Sequence, residues 1–151
     1  MFKTPLHYKT LIKGELWQLK APLRYEFVQQ DYHGKYIKNR EVIIPAGYVT
    51  DFYTIPKVLQ RIWPKDLFPQ HPSVLHDYLL THMYTTFTRP QANSIFYDAM
   101  RIMGMGCVQA NLFYAGVSLL NGKKRHKKRE QQLARLGMRC GANGQPCLEH
   151  S

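Results

Sequence analysis

The sequence predicts an α+β fold, in which a small antiparallel sheet in the N-terminal half packs against a C-terminal cluster of about four helices. Three observations favour this class. Apolar and polar residues alternate in the first third of the chain, as they do in half-buried strands. Apolar residues recur at helical spacing in the second half, on segments that begin with capping residues. The chain of 151 residues has the length of one ordinary domain.

Strand signals fill the first third of the chain. Leu23, Tyr25 and Phe27 alternate with charged residues, which is typical of a strand that has one buried face. Residues 45–47 read Pro-Ala-Gly, and this composition predicts a tight turn because proline fixes one backbone angle and glycine tolerates a positive φ. The chain is therefore predicted to reverse there. The predicted strand segments are 16–19, 23–27, 42–44 and 48–50.

Helix signals fill the second half. In the strongest of them, Thr88 and Gln91 have the spacing of a capping box, an apolar stripe runs from Ala92 to Met103, and Gly104 ends the pattern. Further helices are predicted at 55–63, 72–84 and 110–117. The predicted organisation is one α+β domain over residues 1–122, followed by a basic helical extension and an irregular C-terminal tail over residues 123–151.

Positive charge is concentrated in one run near the C-terminus. The formal net charge is +11, and this run contributes six positive charges. Clustered lysine and arginine bind phosphates by counterion release, so nucleic-acid binding is one prediction. A solvated extension and docking onto an acidic protein surface are equally consistent with the run. Its residues are Lys123, Lys124, Arg125, Lys127, Lys128 and Arg129.

Composition argues against several other classes. The three cysteines have no CxxC spacing, which argues against a disulfide scaffold and a structural zinc knuckle. No apolar run approaches the roughly 18 residues of a membrane span. The first residues lack the apolar stretch of a secretion signal, so we expect the protein in the cytoplasm of the cell that makes it. Phosphate-binding glycine loops and nucleophile-elbow serines are missing from the sequence.

Three residues form the candidate site. Asp51 ends a predicted strand, and His76 and Asp77 lie on a predicted helix. Carboxylate and imidazole groups bind divalent metals such as zinc and also serve in acid–base catalysis. We therefore predict a catalytic or metal-binding role for these residues, with a divalent metal as the candidate cofactor. In the structural alternative, Asp51 caps a turn, Asp77 is solvated, and His76 is a core-edge histidine bonded to Asp51.

Three further residues flank this candidate site. They are predicted to bind an anion or to support the site, and they are Thr50, Thr54 and Arg89. For Arg89, a salt bridge to Asp51 or Asp77 is favoured over anion binding.

Several segments together resemble a known family. Residues 44–56 read Ile-Pro-Ala-Gly-Tyr-Val-Thr-Asp-Phe-Tyr-Thr-Ile-Pro, residues 74–79 read Val-Leu-His-Asp-Tyr-Leu, and Thr88-Arg89 and residues 92–100 follow. In this order they resemble domain-of-unknown-function family 1353, which is found mainly in tailed bacteriophages and prophages. The resemblance covers residues 14–122. Family members usually have serine at the position of Thr54 and aspartate at that of Asn93, so this chain departs from the pattern twice and loses one carboxylate.

The resemblance implies a phage origin and a place among virion or late-expressed proteins. We therefore expect an accessory virion protein, in the tail or at the head–tail junction, with other virion proteins as partners. It would be made in the host cytoplasm and carried in the virion. One alternative is a metal-dependent hydrolase, directed at the cell wall, that uses Asp51, His76 and Asp77. A second alternative is a nucleic-acid-binding protein that uses residues 123–129.

Overall fold

Five strands precede the helices of the described part of the chain, and two short strands follow them. The computed structural model describes residues 1–13, 16–30, 33–51, 61, 69–119, 131, 134–135, 138–139 and 148–149. The first five strands are β1 (Tyr8–Ile12), β2 (Leu16–Leu19), β3 (Leu23–Gln30), β4 (Tyr36–Ile44) and β5 (Val49–Thr50). The helices are α1 (Gln70–Thr81), α2 (Arg89–Ile102) and α3 (Cys107–Leu119). In the C-terminal segment that was predicted to be an irregular tail, β6 (Met138–Arg139) pairs antiparallel with β7 (Leu148–Glu149).

The N-terminal strands form two antiparallel sheets, so the prediction of a single sheet is wrong. One sheet has the order β1–β2–β5, and the other consists of β3 and β4. The turn at 45–47 causes the division. Gly47 has φ 88°, and its N–H donates to the carbonyl of Leu19 at 2.8 Å. Leu19 in turn donates to the carbonyl of Tyr48 at 2.9 Å, so the chain leaves β4 and continues beside β2.

The strand β1 was not predicted from the sequence. The first three residues of this strand are exposed, and its sequence shows no alternation of apolar and polar residues. It forms by antiparallel pairing with β2, where Tyr8 lies opposite Leu19. Pairing with a neighbour can impose a strand on residues whose own pattern does not specify one.

Three helices lie in the described part of the chain, one fewer than the predicted number of about four. Most of the predicted helix at 55–63 and most of the predicted basic helical extension that begins at residue 123 lie outside the described residues, although the described residues 61, 131 and 134–135 are helical. α2 begins with the predicted capping box: Thr88 N–H donates to Gln91 Oε1 at 2.8 Å, and Thr88 Oγ1 accepts from Gln91 N–H at 3.4 Å. None of the helices in the described ranges has the length and apolar character that crossing a bilayer requires.

One apolar core joins both sheets to α1 and α2. It contains Leu23, Tyr25, Val42, Ile44, Tyr48, Val74, Leu75, Leu79, Ala92, Ile95 and Ala99. A second cluster fills the space between α2 and α3. Its buried members are Phe96, Met100, Ala110, Phe113 and Val117. The predicted stripe on α2 is therefore buried, except for Met103 at its end, which is exposed.

Tyr25 lies fully buried in the larger core, and its hydroxyl has no hydrogen-bond partner among the described residues. A buried polar group that gains no hydrogen bond opposes folding, because it has lost its bonds to water. We therefore expect Tyr25→Phe to raise the free energy of unfolding at pH 7 by about 1 kcal/mol. Urea unfolding at pH 7 measures this. A loss of stability in Tyr25→Phe would contradict the expectation.

The same substitution has a larger effect at alkaline pH. Burial, with a smaller contribution from the charge of Asp98, raises the pKa of Tyr25 from 10.0 to about 12. The unfolded chain therefore ionises first as the pH rises. The ionisation of this tyrosine has no effect on the free energy of unfolding well below pH 10, and it lowers that free energy as the pH rises from 10 to 12. A difference of about two pKa units corresponds to about 3 kcal/mol. The advantage of Tyr25→Phe should accordingly grow between pH 9 and pH 12, whereas parallel stability profiles for the two proteins would contradict the assignment.

Candidate functional site

The neighbouring residues His76 and Asp77 make contacts on different sides of α1. His76 is 1% exposed and faces α2, whereas Asp77 is half-buried and faces the turn at 45–48. Successive residues of a helix point about 100° apart, so the doublet makes two separate contacts.

His76 belongs to a chain of hydrogen bonds that crosses all three helices. Its Nε2 lies 2.7 Å from Asn93 Oδ1 in α2. Asn93 Nδ2 donates to Ser118 Oγ in α3 at 3.2 Å, and Ser118 Oγ donates to the carbonyl of Tyr114 at 2.8 Å. The ring of Phe96 packs 4.9 Å from the imidazole, measured between ring centroids. The contacts of one buried histidine therefore connect α1, α2 and α3.

The amide of Asn93 determines the tautomer of His76. An amide oxygen can only accept a hydrogen bond, so Nε2 carries the proton and donates it. In the neutral ring Nδ1 is then the basic nitrogen. Asn93 orients the imidazole without the negative charge that a carboxylate would add. This arrangement can position a proton acceptor, and it can equally lock the three helices together.

Asp77 connects α1 to the sheets. Tyr48 Oη donates to Asp77 Oδ2 at 2.8 Å and lies 3.2 Å from Thr81 Oγ1. Thr81 Oγ1 donates to the backbone carbonyl of Asp77 at 2.7 Å and lies 2.8 Å from His82 Nδ1. Four side chains, from the turn, from the C-terminal part of α1 and from the residue that follows this helix, thus form one polar network.

Aromatic rings pack around this network. The rings of Tyr48 and Tyr78 meet edge to face at 5.2 Å, and Tyr78 stacks on His82 at 5.1 Å with an interplanar angle of 7°. Burial raises the pKa of the Tyr78 hydroxyl. The ring of Tyr78 thus covers the rings of Tyr48 and His82 and reduces the access of water to their polar groups, which strengthens the hydrogen bonds among them.

Thr50 and Asp51 lie where β5 ends. Thr50 is fully buried opposite Trp17 of β2, and Asp51 is half-buried. Tyr48 precedes Asp51 by three residues, so the Tyr48–Asp77 bond brings this strand end and the His-Asp doublet into one region. A joint catalytic role for Asp51, His76 and Asp77 stays a prediction.

Arg89 connects α2 to α3. Its Nη2 donates to the carbonyl of Val117 at 3.2 Å, near the C-terminal end of α3, where a positive charge is favourable. The predicted anion binding and salt bridge of Arg89 stay predictions. Thr54 and the basic run at 123–129 lie outside the described residues, so their predicted roles also stay predictions.

Within the described ranges, no group of three or more His, Cys, Asp or Glu side chains is placed to hold a metal ion. Asp51, His76 and Asp77 all lie in these ranges, so they do not form such a group by themselves. Structural zinc takes four protein ligands and catalytic zinc takes three. Metal binding through these residues therefore stays a prediction, and it requires ligands from elsewhere in the chain.

The partners of the doublet were not among the predicted site residues. Asn93 had a signal in the sequence, because it is a polar residue beside Ala92 on the apolar stripe of α2, and buried polar groups need partners. Tyr48 was assigned to a strand, and its hydroxyl carried no signal. Ser118 and Thr81 also had no signal, since each lies near a helix end where serine and threonine are common.

Tyr48→Phe is expected to lower the free energy of unfolding by about 1.5 kcal/mol, because it removes a hydrogen bond to a carboxylate. Urea unfolding at pH 7 measures the change. The matched control is Tyr36→Phe in β4, where the side chain is exposed and the change should stay within about 0.5 kcal/mol. Equal effects of the two substitutions would show that the Tyr48–Asp77 bond contributes nothing to stability.

The fold and this site define an α+β protein in which a His-Asn pair and a Tyr-Asp pair join the helices to one another and to the sheets. A family model described as “Protein of unknown function (DUF1353)” matches residues 17–117, which is more than half of the chain. The chain therefore belongs to the DUF1353 family, and the resemblance seen in the sequence is confirmed. Searches of curated proteins and of solved structures found nothing that matches the chain.

Proposed function

We propose that this chain is an accessory virion protein of a tailed bacteriophage, in the tail or at the head–tail junction. One observation carries the proposal: α3 presents an apolar face to solvent. Val108, Leu112 and Leu119 are 75%, 44% and 87% exposed. With Ala115 they occupy positions i, i+4, i+7 and i+11, which form a single stripe along a helix. Exposed apolar stripes of this kind mark contact surfaces for other proteins.

The composition of α3 supports the same interpretation. The opposite side of the helix is buried through Ala110, Phe113 and Val117, so α3 is apolar on both sides. It contains no charged residue, although the whole chain has a net charge of +11. A helix that is apolar all round is normally buried on all sides. In the proposed role, a neighbouring virion protein covers the outer face of α3.

The environment of His76 supports an architectural role for the doublet. The imidazole is almost completely buried and is held by Asn93, and Asp77 is held by Tyr48. Both residues thus make the contacts that a structural role requires. Membership of DUF1353 agrees with the proposal, because the resemblance implied a phage origin.

The test is mass spectrometry of purified particles of a phage that encodes this chain. The chain should copurify with the particles, and Val108→Gln combined with Leu112→Gln should reduce its copy number at least about tenfold, since each apolar side chain contributes about 1.5–3 kcal/mol when buried. The matched control is Tyr84→Gln, at a side chain that is 69% exposed between α1 and α2. Particles that lack the chain would overturn the proposal.

A second candidate function is hydrolysis, and the His76–Asn93 pair favours it. A histidine whose Nε2–H is held by a neighbour keeps Nδ1 as its basic nitrogen, and a general base requires such a nitrogen. Release of soluble fragments from purified cell-wall sacculi tests this candidate, with and without a chelator that removes divalent metals. Activity that is lost in His76→Gln would support it. Equal fragment release by His76→Gln and the unsubstituted chain would contradict it.

A further inference from the structure

The β3–β4 sheet has one covered edge and one open edge. Along β3, the N–H of Lys3 donates to the carbonyl of Arg24 at 2.9 Å, and the N–H of Glu26 donates to the carbonyl of Met1 at 2.9 Å. β4 pairs only with β3 within the part of the chain that the structure describes. An open edge strand of nine residues is a template for pairing with another strand.

The hydrogen bonds of β3 show which backbone groups of β4 point outward. In an antiparallel pair, residues bonded to each other alternate with residues whose N–H and C=O both point away. The backbone groups of Arg24 and Glu26 bond to the N-terminal segment and therefore point away from β4. The residues opposite them in β4 are Ile43 and Glu41, and their backbone groups likewise point away from β3. By the same alternation Asn39 also points away. The N–H and C=O groups of Asn39, Glu41 and Ile43 therefore face the open edge.

Two of the three charged side chains of β4 have partners within the chain, and the third, Lys38, is exposed. Arg24 holds Glu41 through two bonds, Nε to Oε1 at 2.8 Å and Nη2 to Oε2 at 3.1 Å. The guanidinium of Arg40 lies 5.0 Å from the ring centroid of Phe87 in its own chain. Asn39 is uncharged. The edge also carries the exposed apolar side chains of Ile37 and Ile43, so it fits another edge that is partly apolar, and a second copy of the chain supplies one.

Two copies of β4 match each other in one particular register. When they pair antiparallel about a two-fold axis at Arg40, Asn39 of each copy lies opposite Glu41 of the other, and the two Arg40 residues face each other at the axis. Ile37 of each copy then lies near Ile43 of the other, and both side chains are 48% exposed in the single chain. Each Asn39–Glu41 pair exchanges both of its backbone bonds, which gives about four hydrogen bonds between the chains.

We propose that the chain associates with a second copy of itself through β4, so that two β3–β4 hairpins form one continuous four-stranded sheet. This inference goes beyond the proposed virion role and does not depend on it. The bulge beside Gln30 limits the regular pairing to a short segment. The two Arg40 residues that face each other at the axis repel, and so do two chains of net charge +11. The dimer is therefore weak, and added salt strengthens it by screening the repulsion.

The experiment combines sedimentation with amide hydrogen exchange on the full-length chain, from micromolar to near-millimolar concentration. We expect the dimer fraction to rise with concentration and with salt. The outward amides of Asn39, Glu41 and Ile43 should gain protection in parallel. The amides of Arg40 and Val42 bond to β3 and should be protected at every concentration.

Two variants at Asn39 test whether association depends on the outward N–H group of the β4 edge. Asn39→Pro removes an outward N–H without removing a bond to β3, whereas Asn39→Ala keeps that N–H. The proline variant should weaken association at least about tenfold, and the alanine variant should leave it unchanged. Protection of Arg40 and Val42 reports whether the hairpin of the proline variant stays folded. Ile43→Lys, which keeps every backbone group, should also weaken association and tests the same edge independently.

Three outcomes would overturn the inference. The first is a monomer at all concentrations whose outward amides stay unprotected. The second is equal association of the proline and alanine variants, which would assign the contact to another surface such as the outer face of α3. The third is protection of the outward amides only when a different protein is added, which would make that protein the occupant of the edge.

Discussion

Phe96→Ala is expected to lower the free energy of unfolding by about 3–5 kcal/mol. Phe96 is fully buried, packs against the imidazole of His76, and belongs to the cluster that contains Met100 and Phe113. Truncation removes buried apolar area and leaves a cavity between α2 and α3. Backbones of packed helices close such a cavity only partly, so both costs add.

Urea unfolding followed by circular dichroism measures the loss in Phe96→Ala. Tyr84→Ala is the control, because it removes a ring of similar size from an exposed position and should change stability by less than about 0.5 kcal/mol. Phe96→Leu should lie between the two, since it retains most of the apolar volume. A loss below about 1 kcal/mol in Phe96→Ala would show that the cluster between α2 and α3 contributes little to the fold.

Asn93→Ala is expected to lower the free energy of unfolding by about 2–4 kcal/mol. The substitution removes the oxygen that accepts from His76 Nε2 and the amide that donates to Ser118. The imidazole is 1% exposed, so its N–H cannot turn to water instead. A buried donor without a partner costs about 1–3 kcal/mol, and the lost packing of the amide adds to this.

Ser94→Ala is the matched control for Asn93→Ala. Ser94 is the next residue of α2 but lies on its exposed side, so its replacement should change stability by less than about 0.5 kcal/mol. The unfolding transition at pH 7 measures both variants. Similar stabilities for the two would mean that the bond between His76 and Asn93 is not formed in solution.

Asn93→Asp adds a negative charge beside His76 and keeps the shape of the side chain that bonds to it. The carboxylate keeps an acceptor for His76 Nε2 and adds a negative charge that favours the imidazolium. A histidine that gains such a partner on folding contributes stability below its unfolded pKa of about 6.5 and loses it as the pH rises. Relative to the unsubstituted chain, Asn93→Asp should therefore be more stable at pH 6 than at pH 8. A difference in the opposite direction would contradict the geometry.

Local signals predicted the helices better than the sheets. The capping box at Thr88 and the apolar stripe behind it involve residues close in sequence, and α2 forms as they indicate. The pairing of β5 with β2 instead of β4 depends on bonds between Leu19 and the turn at Gly47, which no local pattern encodes. The α+β class was accordingly predictable, whereas the division into two sheets was not.

The sequence located the doublet of the candidate site but not its partners. His76 and Asp77 were predictable because adjacent histidine and aspartate in an apolar context are unusual. Their partners Asn93 and Tyr48 come from other elements, and the pairing depends on how α1 packs against α2 and against the turn. Asn93 had been noted only as a departure from the family pattern, and the structure places that departure directly against His76.

The pairing of β2 with β5 has a consequence for the folding kinetics. Trp17 lies opposite Thr50, so this contact closes a loop of 33 residues (50 minus 17), whereas β3 and β4 form a local hairpin. Long loops lose more entropy on closure, and contacts that depend on them tend to form late. The Tyr48–Asp77 bond should then be absent from the transition state. Tyr48→Phe would accelerate unfolding and leave the folding rate nearly unchanged.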